Sequence, residues 1–213
     1  RRRGPRVPKS DRSRRTSRGT GRAGDRADDA GARRGGGERG GVEHYLGPDA
    51  AGIWQVSGSE DQRPVASLSK LVTALVILDR HPLAGPEDPG PTIWFTEADY
   101  RLYDEYYVLG ATIAALPRGS SMTLRDALAT MLIPSASNYA EAVSTWAFGS
   151  QGAFVEATRR WLADRGLTST VIVEPTGISE RNISTPRDLV SIAQLAAADP
   201  TISQISATRS LSL

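Results

Sequence analysis

Pro64-Val65-Ala66-Ser67-Leu68-Ser69-Lys70-Leu71-Val72-Thr73-Ala74-Leu75-Val76-Ile77-Leu78 is the stretch from which the rest of the chain is read. Leu68, Leu71, Val72, Leu75 and Leu78 recur at helical spacing, which predicts a helix from Ser67 to about Arg80, stopped by Pro82. The helix is apolar on most sides, and such a helix is buried at the centre of a domain. Lys70 sits oddly there. Lys9 and Lys70 are the only lysines, and Arg carries the positive charge everywhere else. Burial disfavours the charged form of an amine, and a neutral amine can take the proton that a serine hydroxyl must lose in order to attack. Ser67 lies one helical turn earlier on the same face. At a first turn its Oγ is close to the positive helix end, which favours negative charge developing on a substrate oxygen.

Ser-x-x-Lys alone is a poor signal. With 21 serines among 213 residues, a given Lys has roughly one chance in ten of a Ser three residues before it. The bland alternative is a Lys that snorkels from a packed helix. A second serine-rich turn, Pro134-Ser135-Ala136-Ser137-Asn138, falls where the chain must bend between two helices and can offer hydroxyls and an amide to a cleft. Its own bland reading is a cap, with Ser137 capping a helix that begins near Asn138.

The remaining elements follow from pattern and punctuation. Ile53, Trp54 and Val56 predict a short strand, and Thr92 to Phe95 another. The tyrosines from Tyr100 to Tyr107 are expected to pack, not to form a binding face. A strand is expected from Gly110 to Leu116, then a turn at Pro117-Arg118-Gly119. Thr123 with Asp126 forms a variant capping box for a helix to about Ile133. Helices are predicted from Asn138 to Trp146 and from Gln151 to Asp164, the latter closed by Gly166. Thr168 to Glu174 reads as a strand, and Thr185-Pro186-Arg187-Asp188 starts a helix to about Ala198. The short strands have few partners in a chain this helical.

Composition narrows the chemistry. No Cys is present and His44 and His81 are the only histidines, which excludes disulfide frameworks, thiolate metal sites and a three-histidine zinc centre. The net charge of +2 hides a division. Residues 1–41 hold 14 Lys and Arg against 5 Asp and Glu, and the remainder has 12 against 19. Residues 1–43 are therefore expected to be a disordered Arg- and Gly-rich tail, and 44–213 a single domain. The tail lacks aromatic residues to stack on bases, so no nucleic-acid partner is expected. Neither a signal peptide nor an apolar run long enough for a transmembrane helix is apparent.

Together these residues resemble the serine D-alanyl-D-alanine carboxypeptidases, the low-molecular-mass penicillin-binding proteins of peptidase family S11. Pro64 to Leu75 is similar to their nucleophile motif, and Met131-Leu132-Ile133-Pro134-Ser135-Ala136-Ser137-Asn138-Tyr139-Ala140 to their second motif. Glu174-Pro175-Thr176-Gly177-Ile178, followed by Asn182, Ser184-Thr185-Pro186 and Asp188-Leu189, resembles the stretch between their second and third motifs. The resemblance implies an α/β (α+β) fold of the serine β-lactamase and DD-peptidase type, helix-rich here because the C-terminal sheet strands are missing. It further implies an extracytoplasmic hydrolase that trims peptidoglycan stem peptides ending in D-Ala-D-Ala and is acylated by β-lactams. The full-length protein is then expected to be exported or membrane-associated, with a part in cell shape. Ser67 would be the nucleophile, Lys70 its base and Ser135 the proton relay, with Ser137 and Asn138 binding substrate. No metal or cofactor is implied.

Two departures stand out. The family's Ser-x-Asn is Ser135-Ala136-Ser137 here, so Ser137 replaces the usual Asn or Asn138 shifts to fill its place; the neighbours Pro134 and Tyr139 favour Ser137. In addition no Lys-Thr-Gly follows, the chain ending 78 residues past Ser135. That motif supplies one of two oxyanion donors, and losing one donor typically costs about 10²- to 10³-fold in rate. The expectation is an incomplete catalytic domain, inactive and poorly folded by itself, with an apolar face of the Leu68 to Leu78 helix left exposed. A non-catalytic cell-wall-binding or penicillin-binding pseudoenzyme is one alternative. A class A β-lactamase-like hydrolase is another, although it would want Ser-Asp-Asn and a deacylating Glu.

Overall fold

The computed structural model describes residues 59–208. The tail expected over 1–43, His44 and the strand expected at Ile53 to Val56 lie outside the described residues. Among those described, seven α-helices carry the fold: α1 Ser69–Arg80, α2 Glu97–Val108, α3 Leu124–Leu132, α4 Ser137–Phe148, α5 Gln151–Asp164, α6 Pro186–Ala198 and α7 Pro200–Ala207. Strands are minimal. β1 Arg63–Pro64 pairs antiparallel with β4 Ile183–Ser184, and β2 Thr92–Trp94 with β3 Ser121–Thr123.

The apolar stretch folds as its spacing predicts, with one refinement: a 3₁₀ turn, Ala66–Leu68, leads into α1. Residues Ser69, Lys70 and Val72 to Leu78 of α1 are all buried. Burying each large side chain contributes roughly 1.5–3 kcal/mol. The expected exposed apolar face is confined to Leu68 and Leu71. Helices α3, α4, α5 and α6 pack around α1, leaving Leu68 exposed and Leu71 half-buried. Helix supplies the cover that the sequence reading assigned to sheet. Helix α1 ends at Arg80 because His81 precedes Pro82, whose ring pushes the preceding residue out of helical geometry, and His81 adopts φ −129°, ψ 72°.

Capping follows the sequence reading at Thr123 and Thr185, and Ser150 adds a third cap. Thr123 accepts from Asp126 N, Ser150 from Ala153 N and Thr185 from Asp188 N, each satisfying an amide that its helix cannot. Helix α7 was not foreseen, although Asp199 caps it and Pro200 opens it, the same grammar as Thr185-Pro186. The tyrosine stretch lies in α2, where Tyr106 is buried while Tyr103 and Tyr107 face solvent; packing holds for part of it only.

Three expectations fail. Gly110 to Leu116 is not a strand, since side chains take its hydrogen bonds: Asn138 accepts from Ala114 N and donates to Ala114 O, and Tyr139 Oη donates to Ala115 O. Thr168 to Glu174 forms one isolated bridge, Val171 to Ile183, because Asp188 takes Ser169 N and Asn182 takes Val173 N. Ser137 does not cap α4, which begins at Ser137 itself with Ala136 in the capping position.

Candidate active site

Ser67 sits in the exposed 3₁₀ turn, and Lys70 begins α1 at only 3% exposure. The Lys70 Nζ donates to Ser67 Oγ at 3.4 Å and to Thr176 O at 2.6 Å. Burial lowers the Lys70 pKa to about 8 against an opposing pull from Glu174. The amine is then roughly one-tenth neutral at pH 7 and half neutral near pH 8. The expectation of a wholly uncharged amine is thus moderated: Lys70 is poised between its two forms, where proton exchange with a hydroxyl is most effective.

The loop 173–182 holds this pair from the other side. Thr73 Oγ1, one turn after Lys70, donates to Pro175 O at 2.9 Å, so consecutive carbonyls, 175 and 176, receive two donors from α1. Gly177, at φ 84°, touches the serine turn so closely that an added Cβ would lie 1.8 Å from Ala66 O. Asn182 joins the two segments, donating to Ser69 Oγ and to Glu174 O while accepting from Val173 N. The backbone also bridges them through Val65 N to Asn182 O.

Ser135 occupies the α3–α4 turn at φ 62°, and Ala66 has φ 47°. Left-handed backbone in non-glycine residues is costly and collects at functional sites. Both positions flank the same cleft. Its volume is about 540 Å³, and Ser67, Lys70 and Ser135 line it together with Leu71, Ile133 and Ile205. Two of the residues singled out from sequence lie elsewhere: Asn138 is wholly buried with its amide spent on residue 114, and Ser137 is buried with its backbone N donating to Thr112 O.

Sequence reasoning quoted Glu174, Thr176, Gly177 and Asn182 without assigning them work. A glutamate immediately before the Pro175-Thr176-Gly177 turn was the available signal, since a carboxylate there can gather the amides that follow it. Among the described residues no cluster of three His, Cys, Asp or Glu side chains could hold a metal ion. No helix among them is long and apolar enough to cross a membrane.

Residues 53–213 match the profile of the D-alanyl-D-alanine carboxypeptidase family. A D-alanyl-D-alanine endopeptidase of Escherichia coli (strain K12) is 33% identical over 148 residues, 69% of this chain and 44% of that protein. Its namesake in Pseudomonas aeruginosa is 32% identical over 68% of this chain and 43% of its own length. The chain therefore spans less than half the length of these curated relatives. Among solved structures, a D-alanyl-D-alanine carboxypeptidase from Mycobacterium tuberculosis H37Rv matches at TM-score 0.60 and 29% identity, covering 71% of this chain and 53% of that one. Penicillin binding protein 6B from Escherichia coli shares the fold at TM-score 0.66 and 21% identity, over 75% and 50% of the two chains.

Proposed function

The chain belongs to the D-alanyl-D-alanine carboxypeptidase family, peptidase family S11, and from that premise we propose that it is the helical part of a serine carboxypeptidase acting on peptidoglycan stem peptides in the cell envelope. The observation that carries the reading is the buried Lys70 amine held 3.4 Å from the Ser67 hydroxyl. Lys70 in its neutral form takes the Ser67 proton as Oγ attacks the carbonyl of the penultimate D-Ala. Ser135 passes a proton to the leaving D-alanine amine, which leaves an ester on Ser67, and water then releases the trimmed peptide. β-Lactams acylate the same hydroxyl.

A second reading concerns the bond cleaved. The curated relatives carry the name D-alanyl-D-alanine endopeptidase, which favours cleavage within a cross-linked peptide over release of a terminal residue. Both readings share Ser67 and its ester. Mass spectrometry of penicillin-treated protein, expressed from its whole reading frame, is expected to find the adduct on Ser67 and to lose it in Ser67→Ala. An adduct that survives in that variant overturns the proposal. Product analysis on a free pentapeptide and on a cross-linked dimer then separates carboxypeptidase from endopeptidase.

A further inference from the structure

Glu174 is the most heavily bonded carboxylate near the cleft, yet its hydrogen bonds go to Thr176, Gly177, Ser179 and Asn182 and not to Ser67 or Lys70. Its Oε1 accepts from Gly177 N at 2.7 Å, Ser179 N at 3.2 Å and Asn182 Nδ2 at 2.9 Å. Its Oε2 accepts from Thr176 N at 2.7 Å and Thr176 Oγ1 at 2.6 Å. Three successive-turn amides converging on one carboxylate fix the path of the backbone between them, and each charge-assisted bond is about twice as strong as a neutral one. The carbonyl in the middle of that path, Thr176 O, is the one that receives the Lys70 amine. With both oxygens filled by protein donors, the carboxylate has little capacity left for a water, which argues against Glu174 as a general base.

We infer that Glu174 is the positioning residue of the Ser67–Lys70 pair: its carboxylate folds the Pro175-Thr176-Gly177 turn so that the Thr176 carbonyl meets the Lys70 amine, and it supplies the negative charge that faces that amine. This rests on the reading of Lys70 as base. The surroundings leave Glu174 as the charged group acting on Lys70. From α2, Tyr106 lies against Thr176, and burial followed by its bond to Glu141 of α4 pushes its phenol far above the ordinary range, so it stays neutral. Removing the charge of Glu174 takes away the pull that opposes desolvation, and the Lys70 midpoint moves down.

Two lysines in 213 residues make this measurable. Lysine labelled with ¹³C at the ε carbon gives two signals from these 213 residues, and Lys9 serves as the internal reference. In the wild type, Lys70 is expected to titrate near 8, well below Lys9. In Glu174→Gln its midpoint falls by at least half a pH unit while Lys9 stays in place. Glu174→Asp keeps the charge and returns the midpoint most of the way to the wild-type value. The proposal is overturned by an unchanged midpoint in Glu174→Gln, by an equal fall in both variants, or by a Glu174→Gln chain that loses its helical circular dichroism, since a role confined to one turn leaves the seven helices standing. A wild-type Lys70 that titrates with Lys9 would instead sink the base reading itself.

Discussion

Lys70 shows what a single residue can be asked to do. Burial outweighs the attraction of Glu174 and lowers the Lys70 pKa from the ordinary 10.5 to about 8. If the neutral form is the base, acylation by a penicillin at low concentration rises about tenfold per pH unit below 8 and levels off above it; a profile flat from pH 6 to 9 would contradict this. Stability responds with a definite sign. Between 8 and 10.5 the unfolded chain holds the lysine proton that the folded chain has released, so this group makes folding more favourable as pH rises. Lys70→Met removes the penalty, and its stability advantage over wild type in urea titrations should shrink by about 3 kcal/mol between pH 7 and pH 10.5. The sequence exposed this residue readily, since one lysine inside an apolar helix is conspicuous. It could not expose the partner, because Thr176 O lies 106 positions away and a backbone carbonyl leaves no trace in composition.

At the scale of elements, the contact between the 3₁₀ turn Ala66–Leu68 and the loop around Gly177 is the tightest joint near the cleft. Gly177→Ala is expected to cost more than about 2 kcal/mol, through left-handed backbone and a clash with a carbonyl that cannot swing aside. Gly149 is the control. It also has positive φ but nothing within 4 Å, so Gly149→Ala should cost about 1 kcal/mol; equal costs in chemical denaturation would show that the joint is looser than described. Helix boundaries were readable here because caps and prolines mark them, as at Thr123 and Thr185. The stretches 110–116 and 168–174 misled for a related reason: apolar β-branched residues promise a strand, but whether a ladder forms depends on what lies beside it. Asn138, Asp188 and Asn182 were nearer.

At the scale of the whole molecule, among the described residues, helices cover α1 from Val72 to Leu78, while Leu68 and Leu71 stay open towards the cleft. The 213-residue chain is therefore expected to give a helical circular dichroism spectrum and one cooperative urea transition, in place of the poor folding anticipated from its motifs. Gradual, non-cooperative loss of signal would refute that. The family and its order of motifs were plain from Ser67, Lys70, Ser135 and the Glu174–Ile178 stretch. How the core is covered was not, since which helix shields which face is a tertiary fact.

The bond from Lys70 to Thr176 has a temporal implication. An amine whose hydrogen-bond acceptor lies 106 residues downstream does not reach its buried setting until that later stretch has been made and has docked. On the proposed mechanism, a nascent or partly unravelled chain carries an ordinary serine, and activation waits for the two distant segments to lock together.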